Sequence, residues 1–148
     1  MKTLIRFFLL SLMIGTFVGL ASAASPERHP HYLHALSDLR DARAHLDHLS
    51  MNEKRDDLEI KAIKKIDQAI AEIKKASIDD GKNLNDHPPI DVKLTRTGRY
   101  HKALELLDAA HKDVTMEEDD PKSQGLQGRV IALVDEAHRT VEEIIRKY

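Results

Sequence analysis

Cysteine is absent from the 148-residue chain, and so is tryptophan. The first absence excludes disulfides, thiolate metal sites, thiol nucleophiles, covalent C-x-x-C-H haem and lipid attachment at a cleavage-site cysteine. All three Phe (Phe7, Phe8, Phe17) precede residue 18, so beyond it the only aromatics are Tyr32, Tyr100 and Tyr148. Stacking platforms for bases or sugars are therefore nearly missing. Clustered positive charge is missing as well. Beyond residue 23 the chain has 21 basic against 25 acidic residues, a poor basis for holding phosphates, so no nucleic-acid partner is expected. Strand signals are lacking too, with no sustained period-2 alternation and no hairpin turn between apolar runs. There is one long hydrophobic run, Phe7 to Leu20, about 14 residues and short of the roughly 20 that cross a bilayer.

What is present begins with an address. Lys2 and Arg6 precede that run and Ala21-Ser22-Ala23 follows it, the pattern of a signal peptide over residues 1–23. A periplasmic or secreted domain is expected over residues 24–148, without stable membrane insertion after cleavage. Its 125 residues suffice for one core.

Four helical patterns follow. The first, about His31 to Leu49, carries Tyr32, Ala35, Leu39, Ala42, Leu46 and Leu49 on one face, with Pro30 in its first turn. Ser50-Met51-Asn52 is a tight connection, with Asn52 the expected N-cap of a second helix over about Glu53 to Ile78. Ile63, Ile66, Ile70 and Ile73 form its seam, and Gly81 is the expected stop. Residues 82–97, with Pro88-Pro89, have no period and form a loop long for a compact domain. The third helix, about Gly98 to Met116, carries Tyr100, Ala103, Leu107 and Val114 on one face. The fourth, about Pro121 to Tyr148 behind an Asp120 N-cap, carries Ile131, Val134, Val141 and Ile145. The expected fold is all-α: an antiparallel four-helix bundle, up-down-up-down, with a long loop between helices 2 and 3.

Nine His are the compositional oddity, and all lie beyond the signal. Two seams each continue onto one: Tyr100 and Leu107 lead to His111, and Ile131 and Val134 lead to His138. Each has an Asp three residues earlier, Asp108 and Asp135, on the same helix face. In antiparallel neighbours both pairs fall about 15–20 Å from one end of the bundle. At that depth the first helix offers Asp38 and Asp41, and the second Asp67. Two readings follow. In the first, each buried imidazole is satisfied by a carboxylate. In the second, Asp38, Asp41, Asp108, His111, Asp135 and His138 hold Zn, Cu or Ni, ions suited to imidazole and carboxylate. His31, His34, Asp38, Asp41, His45 and His48 form a further stripe, one residue before the first helix's seam and expected on its solvated flank.

Other signals are weaker. The pairs resemble the Glu-x-x-His ligands of di-iron carboxylate bundles, but Asp replaces Glu and no bridging carboxylates are identifiable. Asp135-Glu136-Ala137-His138 has the letters of a helicase box without a P-loop. Asp79-Asp80-Gly81 lacks EF-hand spacing, and non-covalent bis-His haem would lack a Phe- or Trp-lined pocket.

The segments His29-Pro30-His31-Tyr32-Leu33-His34-Ala35-Leu36-Ser37-Asp38-Leu39-Arg40 and Ala76-Ser77-Ile78-Asp79-Asp80-Gly81-Lys82-Asn83-Leu84-Asn85-Asp86-His87-Pro88-Pro89 resemble a family of small exported bacterial helical proteins. The resemblance implies an exported helical bundle and carries no assigned activity. Asn83, Asn85, Asp86 and His87 are expected to bond local backbone and fold the loop over the bundle end near His31 and His34. With no nucleophile or acid–base pair to assign, the expected role is non-catalytic: a cell-envelope module acting through a protein partner, or a periplasmic metal-binding or buffering protein.

Overall fold

The structure, a computed structural model, describes residues 29–76, 78–117 and 125–148. The expected export signal and the Asp120-Pro121 helix start lie outside these residues. Four helices make up the fold: α1 (Pro30–Asp47), α2 (Asp57–Lys75), α3 (Arg96–Met116) and α4 (Leu126–Lys147), with no strand among the described residues. None of the helices is long and apolar enough to cross a membrane.

Local chemistry sets the helix starts. The Asp56 carboxylate accepts from the N–H of Leu58, while Glu59 Oε2 accepts from the N–H of Asp56. This reciprocal cap starts α2 four residues later than Asn52 would. Asn52 instead takes a left-handed turn conformation, φ 76°. Thr95 caps α3 through the N–H of Gly98. His29 gives α1 no side-chain cap. Glu117, at the far end of the chain's third helix, supplies it: Oε2 accepts from the N–H groups of His31 and Tyr32, at 3.1 and 3.3 Å.

The helices form a four-helix bundle whose core is built from Leu36, Leu39, Leu46, Ile66, Ile73, Leu107, Val134 and Ile144 among others. α1 packs on α2 and α3, and α4 packs on the same two, so α1 and α4 occupy opposite corners. Every neighbouring pair is antiparallel, as expected, but the chain order is up-down-down-up rather than up-down-up-down. Arg99 Nη2 donates to Glu53 Oε2 at 2.6 Å, and Arg96 Nη2 to Glu59 Oε2 at 2.9 Å. These pairs put the start of α3 beside the start of α2. Tyr148 donates to Asp56, placing the end of α4 at the same end of the bundle.

The long connection explains the reversal. α2 is about 28 Å long, and residues 78–95 return along that length before α3 begins. They run beside α1 rather than folding over the end near His31 and His34. Arg40, in the middle of α1, donates to the Asp80 carboxylate and to the carbonyl of Asp86, the latter at 3.1 Å. Ile78 joins the core and Leu84 packs against it. The loop's short polar side chains do bond local backbone: Asp79 accepts from Gly81 N–H, Asn83 from Asn85 N–H, and Asp86 from Asn83 N–H.

The Arg40 guanidinium is 1% exposed, so its carboxylate cannot be replaced by water at low cost. Asp80→Ala should lower unfolding stability by roughly 3 kcal/mol, the low end for a broken buried pair because the Asp86 carbonyl still accepts. Asp67→Ala, which removes a partner of Arg43 more exposed than Asp80, should cost at most about 1 kcal/mol. Urea denaturation of the two variants checks the difference.

Candidate metal centre

One stripe of α1 carries His31, His34, Asp38, Asp41 and His45, spaced three and four residues apart along one face. It does not lie free in solvent, as its flank position implied. His31 pairs with Asp113 of α3, and the charges acting on Asp38 and His45 include Lys102, also of α3.

Three donors converge at the start of this stripe. His31, His34 and Asp113 each offer a ligand atom within 4.8 Å of the others, the one such His/carboxylate group of three or more among the described residues. His31 Nδ1 is buried and makes no hydrogen bond. It stands 3.5 Å from Asp113 Oδ1, and the His34 ring meets the His31 ring edge-on, with centroids 6.5 Å apart. A charge-assisted imidazole–carboxylate hydrogen bond would close to about 2.7–2.9 Å. Two ligands of one tetrahedral ion, each at ~2.0–2.2 Å, sit about 3.4 Å apart. The observed spacing fits the second geometry.

The surroundings favour a cation. Burial holds the Asp38 carboxyl above the usual range, and the charges of Asp113 and Asp41 add to it; His34 and Lys102 act the other way. Asp38, Asp41 and Asp113 thus gather on this face, with Lys102 beside them. The position is fixed from outside by Glu117, one helical turn beyond Asp113. Its Oε1 pairs with His29 Nδ1 at 3.0 Å, while Oε2 caps α1. The clamp holds the start of α1 to the end of α3, which brings His31 level with Asp113.

The six residues expected to share one layer separate into two groups. Asp38 and Asp41 stand on the α1–α3 face. Asp108, His111, Asp135 and His138 line a groove between α3 and α4. The cause is the packing order: α1 and α4 are at opposite corners, so α1 carboxylates do not meet α4. Asp67, on α2, binds Arg43 at 2.7 Å. His111 and His138 do lie level on neighbouring helices, as the depth arithmetic required. They are not buried, with side chains 42% and 26% exposed. Ala110 and Ala137 occupy the core instead, each completely covered. The core-facing step after Leu107 and Val134 is three residues, which lands on alanine; four lands on histidine, at the rim.

Asp113 was not singled out from the sequence. The depth argument applied to α1 against α3 would have placed it beside His31, since one begins where the other ends. His87 and Asn85 lie instead with Arg43, Asp47 and His48, against the second half of α1.

His45 is buried, and its Nδ1 makes no hydrogen bond. Burial holds the imidazole below its usual range; Asp41 draws it back up, and Lys102, Arg99 and His87 press it further down. The unfolded chain takes up this proton near pH 6.5, while the fold accepts it only at lower pH. Stability should therefore be full above pH 7.5 and fall as pH drops through 6.5. His45→Gln should show a smaller loss of urea midpoint between pH 7.5 and 5.5 than the wild type.

Compared with known proteins, the chain matches no family model, no curated protein and no solved structure.

Proposed function

We propose that this chain is an exported, non-catalytic helical bundle that binds a divalent transition-metal ion in the cell envelope through His31, His34 and Asp113. The observation that carries the reading is the buried Nδ1 of His31. It has no hydrogen-bond partner, Asp113 Oδ1 stands 3.5 Å from it, and His31, His34 and Asp113 offer ligand atoms within 4.8 Å of one another. A buried polar atom left without a partner is costly, and a metal ion would satisfy it. Two imidazoles and a carboxylate suit Zn, Cu or Ni, and three protein donors leave a fourth position for water or an exchanging ligand. That arrangement fits a protein that takes up and releases metal, in binding or buffering, better than a closed structural site.

The sequence pattern supports the location: an n-region, an apolar run and an A-x-A-like site precede the domain.

Protein purified from the periplasm without a His tag should carry metal, and the demetallated chain should bind zinc. Zinc at 100 times its Kd should raise unfolding stability by about 2.7 kcal/mol. His31→Ala with His34→Ala should weaken that site at least ~10-fold. Equal zinc affinity in wild type and double variant would overturn the reading and leave a helical module acting through a protein partner.

A further inference from the structure

The contacts that start α1 reach beyond capping, and they extend past α3 into α4. α1 has no side-chain cap of its own and no acidic residue in its first turn. Glu117, its side chain 7% exposed, supplies both from α3. Its Oε2 accepts from the N–H groups of His31 and Tyr32, and its Oε1 pairs with His29 Nδ1. His31 is thus placed at two points: its backbone N–H bonds Glu117, and its Nδ1 stands 3.5 Å from Asp113 Oδ1. Asp113 lies one helical turn before Glu117 on the same face of α3. One turn of α3 therefore carries both a donor and the group that sets the height of the donor facing it.

Glu117 is itself fixed from α4. Gln127, in the first turn of that helix, reaches back with Nε2 to the carbonyls of Val114, Thr115 and Glu117, at 3.1, 3.2 and 2.8 Å. The neighbouring Leu126 is buried and seats the start of α4 in the core. The last carbonyls of a helix have no partner within it, so Gln127 holds the end of α3 against fraying and Glu117 in place with it. Charge matters as well as position. The start of a helix carries about half a positive charge, which opposes a cation bound at His31. The Glu117 carboxylate offsets that charge.

We infer that Glu117 is the positioning residue of the metal site, and that Gln127 couples the site's affinity to the junction of α3 with α4. The inference rests on the reading of His31, His34 and Asp113 as ligands. Neither Glu117 nor Gln127 is among the three converging donors; both act through where they hold His31 and Asp113. A coupling free energy acts equally in both directions, so an ion bound at His31 tightens the junction in return.

Calorimetric titration of the demetallated, untagged chain with zinc tests both parts, with circular dichroism checking the fold of each variant. Glu117→Ala keeps all three donors and should weaken zinc binding at least ~10-fold. Glu117→Gln keeps an oxygen that accepts from the two N–H groups and loses only the charge, so it should stay within about 5-fold of wild type. Gln127→Ala should fall between wild type and Glu117→Ala. Asp80→Ala, which lowers stability away from this end of the bundle, should leave zinc affinity unchanged. Zinc should also slow hydrogen exchange of the Arg129 amide, which bonds the Gly125 carbonyl at the start of α4, in wild type but not in Gln127→Ala. Wild-type affinity in Glu117→Ala would overturn the positioning role and leave the metal site standing. So would a Glu117→Gln variant as weak as Glu117→Ala, an effect of charge alone, or an equal loss in Asp80→Ala, an effect of stability alone. Gln127→Ala removes no charge and no donor, and it decides the matter if Glu117→Ala does not fold. Wild-type zinc affinity and wild-type Arg129 exchange in that variant would overturn the coupling to α4. Absence of zinc binding by the wild type would overturn the metal site, and this inference with it.

Discussion

The buried guanidinium of Arg40 is the constraint on which the arrangement of this bundle depends. A charged group with 1% exposure needs full pairing, and α1 alone cannot provide it. The connection after α2 does, through the Asp80 carboxylate and the Asp86 carbonyl. Holding that connection lengthwise against α1 delivers the chain to the opposite end of the bundle before α3 begins. α3 must then run parallel to α2 and antiparallel to α1. The packing order of the helices, and with it the partner each side chain meets, follows from where the loop is pinned.

A second set of charges completes the end to which the loop returns. Glu53 binds Arg99, and the buried Glu59 accepts from Arg96 and from the Tyr100 hydroxyl, at 2.6 Å from the latter. Burial raises the Tyr100 phenol above its usual range, and the bond to Glu59 adds to it. Tyr148 lies over the Arg96 guanidinium at 5.0 Å. At the other end a single residue, Glu117, does comparable work by capping α1 from α3. The proposed metal site lies one helical turn from Glu117, between the start of α1 and the end of α3. Rigid helices joined at both ends hold donors from different helices in place more precisely than loops would.

Alanine has a role in the core beside the α3–α4 groove. Ala110 and Ala137 are fully covered, so the next residues, His111 and His138, stand at the rim of that groove. A larger residue at Ala110 or Ala137 would separate the helices and part the Asp-x-x-His pairs.

Among the described residues, helix number, helix type and the absence of strands were legible in the sequence because they depend on local periodicity and capping, which neighbours in the chain supply. The level placement of His111 and His138 was legible too, since helical rise converts residue number into height. Burial was not. After Leu107 and Val134 the next core position is three or four residues on, and only packing against a real neighbour decides between Ala110 and His111, or Ala137 and His138. Nor was the grouping of the donors legible. Whether Asp38 meets His138 or Asp113 depends on which helices share an edge, and that is set by the path of residues 78–95. A loop's path is decided by long-range contacts such as Arg40 with Asp80, between residues forty apart in the chain, and no periodicity records them. The sequence by itself thus determined the elements and the heights of their side chains; the tertiary structure alone decided which faces meet, because that choice is made by buried charge pairing across distant segments.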